Sequence, residues 1–263
     1  MLTIDVGNSR IKGVCFQGRE IVSHHVQAYS ADSFEAALEA ILSNAETPLE
    51  KHGVFVSHVA GEGLKKRLIS VLDGHSLKNV YFAQTQVQQS GVLNSYARPE
   101  DMGVDRWLAM IAGFHHPLKS PQDGVCVIDC GTAITLDVVD YQGKHSGGLI
   151  MPGFQTMYGA LISSARRIQM DKKMNPETLL NTGLASSTEL AVKKGCQQMM
   201  IEGLSGIIVR QAEDVKGALH CLVTGGDGEW VSESLACHSI HEPFLVHYGL
   251  RIVADELSHD VTK

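Results

Sequence analysis

The chain has 263 residues, of which 44% are hydrophobic, enough material for one large domain or two modest ones. Its 29 acidic and 22 basic residues leave a formal net charge of −7, which gives no electrostatic reason to expect a nucleic-acid partner. No apolar run is long enough for a membrane helix and the N-terminus lacks a signal-peptide pattern, so we expect a cytoplasmic protein without a membrane partner.

Apolar periodicity in the first half predicts alternating strands and helices. The predicted strands are 2–6, 11–16, 20–26, 53–59 and 79–82, and the predicted helices are 32–43, 62–72 and 105–112. The segment 117–124 contains two prolines, a serine, an aspartate and a glycine, which interrupt regular structure. We therefore predict an N-terminal lobe over residues 1–117 and a C-terminal lobe over 118–263.

A sequence motif near the start of the chain recurs after this segment. The sequence IDVGNS at 4–9 aligns with IDCGTA at 128–133, and a further β-rich run follows each copy, at 11–16 and at 134–139. The two copies lie about half the chain apart. They indicate an internal duplication, with two α/β lobes that each open on a β-hairpin.

The remaining pattern continues the mixed α/β character. We predict a strand over 147–153, a helix from there to about residue 170, a long helix over 187–211, a short strand over 221–224 and a helix over 228–236. No element is assigned beyond residue 236.

The two glycine turns are candidate phosphate sites. A glycine turn exposes successive backbone N–H groups and lets a phosphate approach closely, and the turns 7–9 and 131–133 could hold the β- and γ-phosphates from two sides. Asp5 and Asp129, at the strand ends, suit Mg²⁺ beside phosphate, and Lys12 could reach the transferring phosphoryl group. The alternative is two ordinary hairpins with aspartate in turn positions.

Other residues suit a phosphoryl transfer. The pair Gly225-Gly226 would allow an adenine ring to lie against backbone; taken alone it is better explained by simple turn chemistry, but beside two phosphate turns it is the expected third element. Asp105 could orient or deprotonate an attacking hydroxyl, and its alternative role is an N-cap. Arg106 could pair with a substrate carboxylate.

The six cysteines contain no C-x-x-C pair, and the thirteen histidines show no zinc-site spacing. Cys126 and Cys130 lie on one face of a predicted strand, where they would act as small hydrophobes. In a cytoplasmic chain of this length we expect reduced thiols and no structural metal site.

Taken together, the motifs resemble type III pantothenate kinase, within the superfamily of acetate and sugar kinases, actin and heat-shock chaperones. The resemblance covers essentially the whole chain. It rests on an ordered set of segments, namely DVGNSRIK at 5–12, GVDRW at 103–107, DCGTA at 129–133, GG at 147–148 with PG at 152–153, and TGG at 224–226.

This resemblance implies an α/β fold of two duplicated actin-like (ribonuclease H-like) lobes with a nucleotide cleft between them. It implies ATP-dependent phosphorylation of pantothenate, with Asp105 as the catalytic base. ATP would lie on Asp5, Val6, Gly7, Asn8, Ser9, Arg10, Ile11, Lys12 and Thr132. Pantothenate would lie on Tyr96, Gly103, Val104, Asp105, Arg106 and Thr188, with Thr182 as the alternative threonine.

The resemblance also implies cofactors and a partner. Asp129 would bind a monovalent cation, K⁺ or NH₄⁺, while ATP carries Mg²⁺. The protein would be a homodimer formed through helices of the C-terminal lobe. Two alternatives stay open on the same scaffold: a non-catalytic accessory regulator of transcription, and a kinase for another small hydroxylated substrate.

Overall fold

The structure is a computed structural model that describes residues 1–45, 53–75, 77, 79–164, 183–215 and 218–260. The strands are β1 (Leu2–Val6), β2 (Arg10–Gln17), β3 (Glu20–Ala28), β4 (Val54–His58), β5 (Val80–Phe82), β6 (Gln88–Gln89), β7 (Val92–Leu93), β8 (Gly124–Cys130), β9 (Ala133–Val139), β10 (His145–Pro152), β11 (Leu219–Thr224) and β12 (Ser239–His241). The helices are α1 (Phe34–Ser43), α2 (Glu62–Gly74), α3 (Val104–Phe114), α4 (Phe154–Ser164), α5 (Thr188–Asp214), α6 (Gly228–Ser234) and α7 (Leu245–Asp260).

The chain divides into two units, and the first consists of Met1–Ala112 with Phe244–Lys263. Its main sheet has the order β3-β2-β1-β4-β5, in which β1 pairs antiparallel with β2 and parallel with β4. Helices α1 and α2 cover one face, because each presents apolar side chains at helical spacing to the apolar positions of the strands. In α1 these buried residues are Phe34, Ala37, Leu38, Ile41 and Leu42.

The second unit, Gly113–Pro243, repeats this architecture. Its sheet has the order β10-β9-β8-β11-β12, and β8 again pairs antiparallel with the next strand and parallel with the strand that follows the helices. Helices α4, α5 and α6 contribute to its core, which includes Phe154, Tyr158, Leu204 and Trp230. The same strand order and directions in both units confirm the predicted duplication and the two-lobe α/β fold.

The C-terminal helix differs from the prediction. The predicted boundary between 117 and 118 places residues 244–263 in the C-terminal lobe, whereas the structure groups them with the first unit. The physical reason is packing: α7 lies against β1 and β4, and its Leu245, Leu250 and Val253 are buried. Gly249 of α7 also approaches the backbone of Leu108 in α3, closer than any larger residue would allow.

Most predicted elements are present, with boundaries shifted by a few residues. The helix predicted to continue to about residue 170 is α4 as far as Ser164, and the rest lies outside the described residues. None of the helices in the described part of the chain is both long and apolar enough to cross a bilayer.

A buried histidine ties α7 to the first sheet. His247 Nδ1 lies 2.9 Å from Thr3 Oγ1, and the Thr3 hydroxyl donates to the carbonyl of Val14 at 3.1 Å, so His247 Nδ1–H is the donor to Thr3. No described residue supplies a hydrogen-bond partner for His247 Nε2. Burial, followed by the positive charges of Lys12 and His24, lowers the pKa of His247 from 6.5 to about 3.

We expect His247 to make the folded state less stable as the pH falls from 7 to 5. The ring stays neutral in the folded protein but binds a proton after unfolding, so acid favours the unfolded state from about pH 6.5 down to the folded pKa of about 3. Over pH 7 to 5 this one group costs about 2 kcal/mol of folding free energy. Denaturant unfolding at both pH values measures the loss.

The control is His247→Gln, because Asp5, whose pKa is raised to about 6, changes stability in the opposite direction over the same range. The parent protein should lose about 2 kcal/mol more than the variant between pH 7 and 5. Equal losses in the two proteins would contradict a neutral, buried His247.

Candidate active site

Asp5 lies near the carboxyl end of β1, between two polar neighbours. The strand register places Lys12 of β2 on one side and Ser57 of β4 on the other. Ser57 Oγ donates to Asp5 Oδ1 at 2.8 Å. Desolvation and then the charge of Asp105 raise the pKa of Asp5 to about 6, while Lys12 and the Ser57 hydrogen bond act in the opposite direction. The first unit therefore brings two acids and a lysine into one electrostatic group.

The first glycine turn is supported by its own hairpin. The N–H of Gly7 donates to the carbonyl of Arg10 at 3.1 Å, and the Gly7 carbonyl accepts from the hydroxyl of Tyr29 at 2.5 Å. Val6 and Ile11 are buried at the base of the turn, whereas Asn8, Ser9 and Arg10 are exposed. The turn is thus fixed by buried residues and presents polar ones to solvent.

Asp105 lies in the first turn of α3. Its Oδ1 accepts a hydrogen bond from the N–H of Arg106 at 2.8 Å, but α3 already begins at Val104, so Asp105 is not the N-cap that the sequence offered as an alternative. The same oxygen lies over Gly103, where a Cβ atom would come within 2.5 Å of it. Glycine at 103 therefore makes room for the carboxylate, which also raises the pKa of Asp5.

Arg106 is a nearly buried cation, 7% exposed, that is positioned by a tyrosine. Its Nη1 donates to the hydroxyl of Tyr96 at 3.1 Å, and its guanidinium carbon lies 5.6 Å from the centre of the Tyr96 ring. The Tyr96 N–H in turn donates to Asn94 Oδ1 at 2.9 Å. A positioned guanidinium beside Asp105 suits recognition of a carboxylate.

The second glycine turn is built in the same way in the second unit. Gly131 N–H donates to the carbonyl of Ala133 at 3.0 Å. The carbonyl of Thr132 accepts from Gly153 N–H at 3.0 Å and from Thr156 Oγ1 at 2.6 Å. The start of α4 therefore fixes this turn and leaves Thr132 exposed.

Asp129 occupies the position in β8 that Asp5 has in β1, and its neighbour on the parallel strand is the buried Thr224. After Thr224 the chain turns at Gly225, whose φ is +94°. A Cβ on Gly225 would collide with Asp129 Oδ1 and with the backbone of Cys130. Only a glycine therefore allows the chain to pass this close to the Asp129 carboxylate and the Cys130 backbone.

Gly225→Ala is expected to destabilise the second unit by about 3 kcal/mol, from a left-handed backbone angle and from the collision at Asp129. Denaturant unfolding measures the change. The control is Gly63→Ala in α2, where a Cβ meets nothing within 4 Å, and this variant should be neutral or slightly stabilised. A neutral Gly225→Ala would show that the backbone at 225 rearranges at low cost.

Thr188 is the first residue of α5 and is exposed. The side chain of Ser187 caps this helix by accepting from the N–H of Leu190 at 3.3 Å, so Thr188 is not the cap. Thr182, the alternative threonine, lies outside the described residues.

Sequence reasoning misses three polar residues that support the site: Ser57, Tyr29 and Asn94. Each forms a hydrogen bond with a residue that the sequence does identify. Ser57 donates to Asp5, Tyr29 donates to the Gly7 carbonyl, and Asn94 accepts from the Tyr96 N–H. Only the strand register, which pairs Ser57 with Asp5, could have suggested one of them.

The comparisons with known proteins agree with these motifs. The family model described as type III pantothenate kinase matches residues 1–210. A type III pantothenate kinase from Nitrosococcus oceani is 30% identical over 260 residues, covering 98% of this chain and 95% of the relative. Another from Pseudomonas paraeruginosa is 33% identical over 253 residues, covering 96% of this chain and 98% of the relative.

Solved structures at lower identity show the fold. A Campylobacter jejuni protein described as a Baf family transcriptional activator matches with a TM-score of 0.61 and 20% identity, over 98% of this chain and 100% of that one. MreB 5 of Spiroplasma citri bound to AMPPNP matches with a TM-score of 0.54 and 10% identity, over 99% of this chain and 97% of that one. The fold is therefore actin-like, and by sequence the chain belongs to the type III pantothenate kinase family.

Proposed function

We propose that this chain transfers the γ-phosphoryl group of ATP to the terminal hydroxyl of pantothenate, which gives 4'-phosphopantothenate and begins coenzyme A synthesis. Family membership supports this proposal, and so does one observation in the first unit. Asp5 and Lys12 at the glycine turn form one electrostatic group with Asp105, whose neighbour in the chain is the buried Arg106. Residues suited to phosphate binding, to a base and to a carboxylate anchor thus lie close together in the chain or in space, which supports the proposal.

Each group of residues has its own role in the proposed reaction. The turn that contains Gly7, Asn8 and Ser9 binds the phosphates, with Lys12 stabilising charge on the transferring group. Asp105 orients the pantothenate hydroxyl and accepts its proton. Arg106 and Tyr96 hold the substrate carboxylate, so that the hydroxyl is presented to ATP. Such positioning and charge stabilisation supply most of the catalysis in phosphoryl transfer.

Two kinds of cation fit the proposed chemistry. Mg²⁺ would arrive with ATP and neutralise phosphate charge, with Asp5 as the nearby carboxylate. Asp129 would hold K⁺ or NH₄⁺, since a carboxylate at a strand end supplies a hard oxygen donor of the kind that such cations prefer. Thr132, a further predicted nucleotide contact, lies on the second glycine turn, three residues after Asp129.

We further propose a cytoplasmic homodimer formed through α5 and its surroundings. Helix α5 exposes Met199 (63%) and Val209 (58%), and Leu161 of α4 is also exposed. Because α4 and α5 pack against each other, these apolar side chains are available to a partner subunit, which would bury them.

Light scattering of the purified protein is expected to give twice the chain mass of 28.5 kDa. Met199→Glu should shift this mass towards the monomer, because it places a charge in an apolar contact. The matched control Glu202→Gln changes an exposed polar residue of the same helix and should remain dimeric. A monomeric parent protein would contradict the proposal.

A coupled ADP-release assay tests the function. Purified protein with ATP, Mg²⁺ and K⁺ is expected to turn over pantothenate, and phosphopantothenate is identified by mass. A panel of small sugars under the same conditions tests the alternative kinase substrates. Absence of turnover with pantothenate when either K⁺ or NH₄⁺ is supplied would refute the proposal.

The regulatory alternative has one supporting observation, the description of the Campylobacter jejuni protein as a transcriptional activator. A regulator that only binds has no need of a base such as Asp105, and the chain retains Asp5, Asp105, Arg106 and Asp129. Co-purification with a DNA-binding protein, together with no kinase activity, would favour the regulator.

A further inference from the structure

Three of the six cysteines gather at one place in the second unit. Cys126 of β8 and Cys221 of β11 are direct partners in the parallel register. On the other side of β11, Cys221 is paired with Ser239, and Cys237 lies two residues before that serine. Cys126 and Cys221 belong to the buried core, and Cys237 packs against it. Strand pairing therefore brings together thiols that are far apart in the sequence.

Cys221 is the centre of this group. Its thiol hydrogen-bonds with the thiols of both Cys126 and Cys237. The hydrogen bond from Cys126, and more weakly that from Cys237, lowers the pKa of the Cys221 thiol although burial acts in the opposite direction. Desolvation and the neighbouring Cys221 raise the pKa of Cys237 to about 11. Cys221 is therefore the most acidic of the three thiols; its S–H also donates to the carbonyl of Leu219 at 3.8 Å, and all three cysteines are unbridged.

The two neighbours of Cys221 differ in freedom and access. Cys126 is fully buried in the middle of a paired strand. Cys237 is partly exposed and lies between the end of α6 at Ser234 and the start of β12 at Ser239. A disulfide needs its sulfurs about 2.05 Å apart, which requires one partner to move, and a loop residue moves more easily than a central strand residue.

We propose that Cys221 and Cys237 form a reversible thiol pair that hydroperoxides oxidise to a disulfide, a modification site separate from the proposed phosphoryl transfer. The Cys221 thiolate attacks the terminal oxygen of the hydroperoxide, an S–O bond forms as the O–O bond breaks, and the departing alkoxide, or hydroxide from hydrogen peroxide, takes a proton from solvent to become an alcohol or water. The Cys237 sulfur then attacks the sulfenic sulfur of Cys221. The S–S bond forms, the S–O bond breaks, and the hydroxyl leaves with the Cys237 proton as water.

The bridge has a structural consequence. It closes a loop that contains α6 and the turn at Gly225 beside Asp129. Closing a loop reduces the freedom of the unfolded chain, so the oxidised protein should unfold at a higher denaturant concentration than the reduced one. Thiols in cytoplasmic proteins are reduced by default, which makes such a bond transient and responsive to oxidant.

Peptide mapping after mild oxidation tests the proposal. The reduced full-length protein is treated with hydrogen peroxide, denatured, alkylated and digested. We expect two fewer alkylated thiols than the six of the reduced protein, and a peptide that joins Cys221 to Cys237 and separates on reduction with dithiothreitol. Measurement on the parent protein requires no variant to fold.

Cysteine variants test whether the cross-link depends on Cys221 and Cys237 rather than on other thiols. Cys237→Ser should abolish the cross-link and the oxidation-dependent shift in the unfolding midpoint, whereas Cys196→Ser, in the same core but on α5, should retain both. Without its partner, Cys221 should accumulate sulfinic acid, a gain of two oxygen atoms. A bridge between Cys126 and Cys221 instead, or six alkylated thiols after peroxide treatment of the parent, would overturn the proposal.

Discussion

Replacing Asp105 by asparagine is expected to lower kcat with pantothenate by about 10²–10⁴-fold, the usual worth of a general base. The amide cannot accept the hydroxyl proton. Its Oδ1 can still accept the hydrogen bond from Arg106 N–H, which measures 2.8 Å in the parent, so α3 should begin as before. Steady-state kinetics measure the loss, and calorimetry of ATP binding should give an affinity close to that of the parent.

The variant also distinguishes the loss of a catalytic base from an indirect effect on the ionisation of Asp5. The charge of Asp105 helps to raise the pKa of Asp5 to about 6, so its removal makes Asp5 easier to ionise. Loss of activity at pH 8 therefore cannot come from protonation of Asp5. The matched control is Asp101→Asn, an exposed aspartate in the short 3₁₀ helix that precedes α3. Activity of Asp105→Asn equal to that of this control would remove Asp105 from the base role.

The internal duplication was predictable because its signal is local. Each copy places an apolar strand, an aspartate and a glycine in consecutive positions, and a tight turn between two β-rich runs is a hairpin signal that needs no distant partner. The structure confirms that Asp5 and Asp129 occupy equivalent strands, β1 and β8. The same local character explains why Asp105 and Arg106 could be placed at the start of a helix.

What the sequence did not reveal depends on contacts between distant segments. The return of α7 to the first sheet joins His247 to Thr3, and an amphipathic pattern does not say which sheet it covers. Ser57 meets Asp5 only because β4 lies beside β1 in this register. The grouping of Cys126, Cys221 and Cys237 likewise follows from the pairing of β8, β11 and β12. A shift of strand register by one residue would separate Ser57 from Asp5 and Cys126 from Cys221.

Arg106→Met is expected to lower kcat/KM for pantothenate by about 10²-fold or more, because losing one partner of a buried, charged pair typically costs about 2–5 kcal/mol. The effect should appear in KM for pantothenate, while KM for ATP stays close to that of the parent. Tyr96→Phe removes only the hydroxyl that Arg106 contacts at 3.1 Å and should cost about 1 kcal/mol. Steady-state kinetics with each substrate varied in turn measure both.

The decisive comparison uses pantothenyl alcohol, which keeps the hydroxyl but lacks the carboxylate. The parent enzyme should prefer pantothenate, and this preference should largely disappear in Arg106→Met. The reason is that a guanidinium recognises a carboxylate through its charge and paired hydrogen bonds. Arg98→Met, an exposed arginine that pairs with Glu100 and Asp101, is the matched control and should keep the preference. If Arg106→Met loses activity equally towards both compounds, Arg106 supports the fold around Tyr96 and does not bind the carboxylate.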